Sequence, residues 1–402
     1  MRGSIALACL LTLTACEAPR DPDREPTGQA PVTPKQTPPA VETPEEPEGA
    51  TGPTAMTGAT GSTGTSGMTG ATGPTFLPPI AKLSDYAVNI IDSAAAAEAA
   101  KFLKYDGTAG TDGDLRVVTK AFYKEFPDAF DYIYVITQAD VPGGDYGRSK
   151  PIHRAAIASI GHAQAVNLTD YGTTRLKNVI VLKWSAKGSG PTAHETLHSW
   201  GMHLDATLGF GTNNVGSHWG LVGANGQHGG FDPATLRCQS PKSATPLDCN
   251  PIAGQPGRFR YLVASFGTFA NGGDTKPFSP IELYLMGLVP AADVQPILRP
   301  KNATSAGVDA TTDSIDADGI EQTTVQQVVA KHGARPAATA AEKTLTGAFV
   351  VFSDATLSDE KFALVDEWAA VFGHHRQGKR PSFQTLTGGR ATLSTAIGDP
   401  LP

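Results

Sequence analysis

The N-terminal 75 residues set the first limit on how this chain can fold. Glycine recurs at every third position from Gly49 to Gly73 and is replaced once, by Ala55. Residues 17–48, which precede this repeat, are dominated by Pro, Glu, Thr and Asp and have almost no large apolar side chains. Neither segment can bury enough apolar surface to offset the entropy of ordering the chain. We therefore expect the globular part to lie within residues 76–402, which is long enough for one large core or two packed lobes.

The first residues have the pattern of a secretory signal. One arginine precedes a short apolar run that ends in Leu13-Thr14-Ala15-Cys16. The run is too short to span a membrane, and its end resembles the bacterial lipobox, in which the cysteine is acylated. We expect residues 1–15 to be a lipoprotein signal peptide and Cys16 to be the lipidation site, with a cleaved signal and an incidental cysteine as the alternative. The exported protein would then be held at the cell envelope or surface by lipid alone.

The segment between this cysteine and residue 76 is expected to act as a spacer. Residues 16–48 have the composition of a disordered tether. Residues 49–75 resemble collagen-like sequence, but only Pro53 and Pro74 occur in the repeat. So few prolines would give a weak triple helix. We favour a flexible stalk over a stem that forms trimers.

Charge and cysteine content narrow the class of protein further. The net charge is −7, and no cluster of Lys and Arg stands out, so the sequence lacks the electrostatic pattern of a nucleic-acid-binding protein. Of the four cysteines, two lie in the signal region. The remaining pair, Cys238 and Cys249, is expected to form a disulfide that closes a surface loop in an oxidising compartment.

Hydrophobic patterns in the remaining chain favour an α+β protein. Apolar residues at helical spacing predict helices at 114–126, 279–288, 322–331 and 357–372, the third of these closed by Gly333. Short β-branched and aromatic runs predict strands at residues 132–136 and 179–182. The second strand is followed by a glycine-rich turn and then by the motif with the most chemical content.

That motif is His194-Glu195-Thr196-Leu197-His198, which fits the pattern H-E-x-x-H. On a helix, two histidines four residues apart lie on one face, where both can bind a single zinc ion. Zinc with three protein ligands retains an open position for water, and a neighbouring carboxylate can accept the proton of that water. We expect His194 and His198 to be metal ligands and Glu195 to be the general base. The alternative is structural, with Glu195 completing a capping box that begins at Thr192.

Two histidines leave the third metal ligand open. His203 lies one residue earlier than the third histidine of the pattern H-E-x-x-H-x-x-G-x-x-H. Glu282 could be a downstream ligand, although the residues from Ser279 to Glu282 also fit a capping box with proline at the first helical position. His218 lies in a glycine-flanked loop that could approach a metal closely, and we favour it. His228 is a reserve ligand because it is close in sequence to His218.

Several blocks of the chain resemble those of a broad group of exported bacterial zincin-like metallopeptidases. The blocks are residues 160–182, the H-E-x-x-H segment with Trp200 after it, the pair His218-Trp219, and residues 279–288. The resemblance covers roughly residues 115–375 and implies a zinc peptidase with a sheet lobe that carries the metal helix and a C-terminal lobe of helices and loops. It also implies that His218 and Glu282 are better candidates for the third ligand than His203. The chain departs from the group at residues 201–203 and in the loop between the two cysteines.

The expected activity is therefore zinc-dependent hydrolysis of peptide bonds in a protein or peptide substrate. Two alternatives remain. The same zinc chemistry would serve a cell-wall amidase, and a peptidase scaffold could have become a surface binding or adhesion protein without catalysis. Met286 and Tyr284 lie in the predicted helix at residues 279–288. We interpret both as packing residues. The alternatives are that Met286 packs under the metal and that Tyr284 stabilises an oxyanion.

Overall fold

The computed structural model describes residues 79–104, 112–152, 167–186, 191–200, 204, 206–210, 218–263, 276–303, 308–309 and 314–401. The predicted signal peptide, tether and stalk lie outside these residues, and so do Cys16 and His203. Within the described residues, no helix is both long and apolar enough to cross a membrane.

Runs of one to four strands alternate with one or two α-helices along the described chain. The strands are β1 (Ile80–Leu83), β2 (Ala87–Ile91), β3 (Tyr132–Ile136), β4 (Gly147–Pro151), β5 (Asn178–Leu182), β6 (Arg237–Cys238), β7 (Phe259–Leu262), β8 (Ile297–Pro300), β9 (Val308–Asp309), β10 (Ser314–Ala317), β11 (Ile320–Thr323), β12 (Thr344–Ser353) and β13 (Thr392–Ser394). The α-helices are α1 (Ser93–Leu103), α2 (Leu115–Tyr123), α3 (Pro191–Leu197), α4 (Pro280–Leu285), α5 (Val325–His332), α6 (Ala340–Lys343), α7 (Asp359–Phe372) and α8 (Phe383–Leu386). The predicted α+β class is confirmed.

Among the described residues, the main sheet has seven strands in the order β1-β2-β12-β3-β5-β4, with β13 paired to the start of β12. Strands β2, β12, β3 and β5 are mutually parallel, and β1 and β4 are antiparallel to their neighbours. Both faces of the sheet are buried. In β12, Phe349 and Val351 contribute to one apolar cluster, and Val350 and Phe352 contribute to the other. This alternation follows from the two-residue repeat of a strand.

Each face of the sheet is covered by helices. Helices α1 and α2 pack on one face, through residues such as Phe102 and Phe122. Helices α3, α4, α5 and α7 contribute to the cluster on the other face, with Leu197 of α3 and Leu285 of α4 among its fully buried members. The candidate site lies on this second face, because helix α3, which carries His194 and Glu195, packs there against β4 and β5.

Two smaller sheets lie in the part of the C-terminal half that the structure describes. One has the order β6-β7-β10-β9, and β8 pairs with β11 in the other. The disulfide Cys238–Cys249 is present, with a Cα–Cα distance of 5.3 Å, as the sequence predicted. Both cysteines are buried in a small apolar cluster that also contains Phe231 and Ile315. The disulfide thus closes a loop at the edge of this cluster.

Most predicted elements are found within two or three residues of their expected bounds, with one clear difference. The helix predicted at residues 322–331 starts later, since Gln322 and Thr323 belong to β11 and pair with β8. Helix α5 begins only after Thr324, whose side chain accepts a hydrogen bond from the Gln327 backbone N–H as its N-cap. Pairing with a distant strand therefore overrode the helical pattern at these two residues.

Candidate metal centre

Helix α3 is held close against the sheet, and this fixes the position of the motif. Ala193 and Leu197 are fully buried in the core, and Thr196 Oγ1 lies 2.9 Å from the hydroxyl of Tyr134 on β3. Gly147 on β4 makes the close approach possible. A Cβ atom at Gly147 would lie 2.8 Å from Pro191 Cβ and 3.1 Å from Glu195 Cγ. The helix then passes into a 3₁₀ turn that begins at His198.

The two motif histidines lie together as predicted. The rings of His194 and His198 have centroids 5.0 Å apart, and His194 is buried. His194 Nδ1 lies 2.7 Å from the carbonyl oxygen of Gln227. Because a carbonyl oxygen only accepts, the proton of a neutral His194 is on Nδ1 and its lone pair is on Nε2. A backbone carbonyl that fixes the tautomer in this way is typical of histidine ligands of metals.

A glycine-rich loop brings two more histidines, His218 and His228, to this helix. Gly226 and Gly229 exchange two backbone hydrogen bonds, of 3.0 and 3.1 Å, and thereby close a tight turn that presents His228. The backbone N–H of Trp219 donates to the carbonyl of His228 at 3.0 Å. The two histidines are ten positions apart in sequence, yet their ring centroids are 5.4 Å apart.

The carboxylate of Glu282, at the start of α4, holds this loop in place. Its two oxygens accept hydrogen bonds from the indole N–H of Trp219 at 2.8 Å, from the backbone N–H of Gln227 at 3.0 Å and from that of His228 at 2.8 Å. A fourth bond, of 2.7 Å, comes from the backbone N–H of Ser279 and forms part of the capping box. Burial raises the pKa of Glu282, and these four donors act against that rise. Glu282 is thus occupied in holding the loop that carries His228.

Gly226 is required for this arrangement. A Cβ atom there would overlap the carboxylate of Glu282. The carboxylate reaches the two N–H groups after Gly226 only because position 226 has no side chain. Gly230, at φ +86°, completes the turn in a conformation that favours glycine.

The ring of His228 is oriented by the helix. Its Nε2 lies 3.3 Å from the carbonyl oxygen of His194, so the proton of the neutral ring is on Nε2 and the lone pair is on Nδ1. Among the described residues, Nδ1 of His228 has no hydrogen-bond partner although it is fully buried. Burial, and to a smaller degree the three neighbouring histidines, lower the pKa of His228 well below its usual range. The neutral form is the one that binds a metal.

His194, His198 and His228 could together hold a metal ion, since one ligand atom from each lies within 4.8 Å of the others. A buried set of imidazole nitrogens suits zinc, copper, iron or nickel better than calcium or magnesium. The orphaned Nδ1 of His228 fits a ligand role, because a buried polar atom without a partner is costly. The chemistry of the donor set therefore fits a transition metal.

Glu195 is fully buried beside these rings. Its Oε2 lies 4.0 Å from Nε2 of His198, and the backbone carbonyl of Glu195 is 3.5 Å from the amide of Asn178 on β5. The predicted general base is thus next to one of the predicted ligands.

His218, the predicted third ligand, lies against the same group, with its Nε2 3.0 Å from Nε2 of His194. The sequence had placed His228 only in reserve. The sequence feature that could have favoured His228 as a ligand is the string Gln227-His-Gly-Gly. Consecutive glycines after a histidine allow a tight turn, and this turn directs the His228 side chain toward helix α3.

Two other residues considered from the sequence have packing roles. Met286 is buried in the core cluster on the α3 face of the sheet, as expected for an apolar helix residue. The hydroxyl of Tyr284 accepts a hydrogen bond of 3.0 Å from the backbone N–H of Arg335.

Comparison of the chain with known protein families, with curated protein sequences and with solved structures finds no match.

Proposed function

We propose that this protein is an exported, lipid-anchored zinc metallopeptidase of zincin-like fold. The observation that carries the proposal is the buried contact between Glu195 and a group of three histidines that could hold a metal, two of them in the H-E-x-x-H motif. A mixed sheet with an antiparallel edge strand next to the motif helix supports the zincin-like part of the proposal. Proteins or peptides are the proposed substrates.

His194, His198 and His228 would hold the zinc. When bound, zinc would polarise the carbonyl of the scissile bond and lower the pKa of water to about 7. Glu195 would accept a proton on its carboxylate and return it to the leaving amine. The backbone carbonyls of Gln227 and His194 would keep the lone pairs of His194 and His228 directed into the site. Glu282 and Trp219 would keep His228 in place throughout.

The direct test replaces the proposed base. In Glu195→Gln we expect metal content to be unchanged, because Glu195 is not one of the three ligands, and hydrolysis to fall by roughly 10²–10⁴-fold. The purified full-length protein would be incubated with an unfolded protein, with short peptides and with peptidoglycan. A matched control is Glu342→Gln, a capping-box glutamate at the start of α6.

The outcomes separate the alternatives. Cleavage of proteins or peptides that is lost in Glu195→Gln supports the peptidase. Cleavage of peptidoglycan alone would replace it with a cell-wall amidase. Metal binding without hydrolysis of any of the three substrates would favour a surface binding protein. Unchanged hydrolysis in Glu195→Gln would remove Glu195 from the mechanism.

A further inference from the structure

We propose that His218 is a fourth ligand of the same metal site, and that its ring must leave the site before a substrate is hydrolysed. The first part concerns metal coordination alone. The second part rests on the proposed function. Together they make His218 a residue that holds the resting site closed.

The packing of the four rings carries the first part. The six centroid distances among His194, His198, His218 and His228 lie between 4.4 and 5.5 Å. Four imidazoles bound to one tetrahedral metal at 2.0–2.1 Å would have centroids about 5.2 Å apart. The centroid spacing of the four rings is thus close to that of four imidazoles around one metal ion, and the His218 ring would move inward to bind, since it lies outside the group of ligand atoms within 4.8 Å of one another.

The contact between His194 and His218 agrees with this. Their Nε2 atoms are 3.0 Å apart, whereas two nitrogen ligands of one tetrahedral zinc are separated by about 3.3 Å. The lone pair of His194 is on this same Nε2, because its Nδ1 donates to the carbonyl of Gln227. In this tautomer His218 Nε2 donates a hydrogen bond to Nε2 of His194, the atom that would bind the metal, and a metal ion between the two nitrogens would take the place of that proton.

A fourth protein ligand changes what the site can do. Metal sites with four protein ligands are closed and structural, whereas catalytic zinc sites have three protein ligands and one open position. With His218 bound, Glu195 would have no activated water from which to take a proton. Hydrolysis would begin only after one histidine had been replaced.

The structure indicates that His218 is the histidine that leaves. His194 belongs to α3 and His198 to the turn that continues it, and His228 is held by its ring at the His194 carbonyl and by its backbone at Glu282. His218 is also the one ring of the four outside the group whose ligand atoms lie within 4.8 Å of one another. Its neighbour Trp219 is fixed by both its indole and its backbone N–H. Trp219 would therefore keep its place when the His218 side chain rotates away from the site.

Cobalt(II) provides the test, because its visible spectrum and X-ray absorption report the number of nitrogen ligands. The full-length protein, His218→Ala and the control His332→Ala, at the end of α5, would be loaded with cobalt. We expect four imidazoles in the wild type and the control, and three in His218→Ala with one cobalt retained. Metal affinity in the variant should fall, because one of the four ligands is lost. Azide should change the spectrum of His218→Ala but not that of the wild type.

Hydrolysis is measured on the same samples. A higher turnover of peptide in His218→Ala than in the wild type would support the closed resting site, and a lower turnover would overturn it. Three imidazoles in both proteins, with equal affinity and equal response to azide, would overturn the fourth ligand. Four imidazoles in the wild type without hydrolysis in any variant would support the coordination and contradict only the proposed peptidase. Failure of the wild type to bind cobalt would overturn both.

Discussion

The two sides of the histidine cluster are built in different ways. On the helix side, His194, Glu195 and His198 lie within five consecutive residues, and their arrangement follows from helix α3 and the 3₁₀ turn that continues it. On the loop side, His228 is held by Glu282, which is 54 to 63 residues away in sequence from its three partners in the loop. One side depends on local geometry, and the other depends on a single buried carboxylate.

Because of this difference, substitutions on the two sides should affect different properties, namely activity and stability. A substitution at Glu195 removes a reactive group but leaves the helix, which is packed by Ala193 and Leu197, in place. A substitution at Glu282 leaves every proposed ligand intact but removes the acceptor of several buried donors. We therefore expect changes on the loop side to lower the free energy of unfolding, and changes on the helix side to lower activity.

The largest effect is expected for Glu282→Ala. The variant leaves four buried N–H groups without their acceptor, at about 1–3 kcal/mol each, so the free energy of unfolding in urea should fall by about 4 kcal/mol or more. The matched control is Glu342→Ala, the capping-box glutamate of α6, which is partly exposed and should cost about 1 kcal/mol. Equal losses in the two variants would show that Glu282 only caps its helix.

A smaller loss is expected for Gly226→Ala. The new methyl group would overlap the Glu282 carboxylate, and crowding of this kind costs about 1–3 kcal/mol. Metal affinity should fall as well, because His228 is two residues away in the same turn. The comparison is Gly254→Ala, where a φ of +75° is strained but no atom lies within 4 Å. A metal affinity that is unchanged in Gly226→Ala would contradict the role of the turn.

Lowering the pH should reduce the free energy of unfolding of the metal-free protein. The pKa of His228 is well below 6.5 in the folded state, so below pH 6.5 the unfolded chain binds a proton that the folded chain does not. This stabilisation is complete above about pH 6.5 and is lost as the pH falls toward the folded pKa, by up to about tenfold in the folding equilibrium per pH unit. Urea unfolding between pH 7.5 and 5 in the presence of a chelator measures it. His228→Gln should show a shallower dependence.

The smallest loss of stability is expected on the helix side, for Gly147→Ala. The added methyl group would meet side-chain carbons of Pro191, Glu195 and Leu182 at 2.8–3.1 Å, and such contacts can relax at a cost of about 1 kcal/mol. Because Glu195 would be displaced, the rate of hydrolysis should fall by a larger factor than the equilibrium constant for folding. A variant with a large loss of stability and normal turnover would reverse the proposed difference between the two sides.

Local patterns in the sequence predicted several of the fold's components but not most of its strands. Strand β3 and helices α2 and α7 were predicted close to their observed bounds because apolar spacing directly reflects which face is buried. Strand β12, the central strand of the sheet, was not predicted, although it is buried along almost its whole length. Both faces of β12 contact apolar clusters. Its sequence therefore lacks the alternation of polar and apolar residues that indicates a strand.

The candidate site divides in the same way. The sequence by itself determined the pair His194 and His198 with Glu195 between them, since a four-residue spacing on a helix brings side chains together wherever the helix lies. Only the tertiary structure decided that His228 joins them, that His218 lies against His194, and that Glu282 binds backbone and indole N–H groups. The physical reason is that these contacts join residues more than twenty positions apart, and their geometry depends on how a glycine turn and a buried carboxylate meet when the chain is folded.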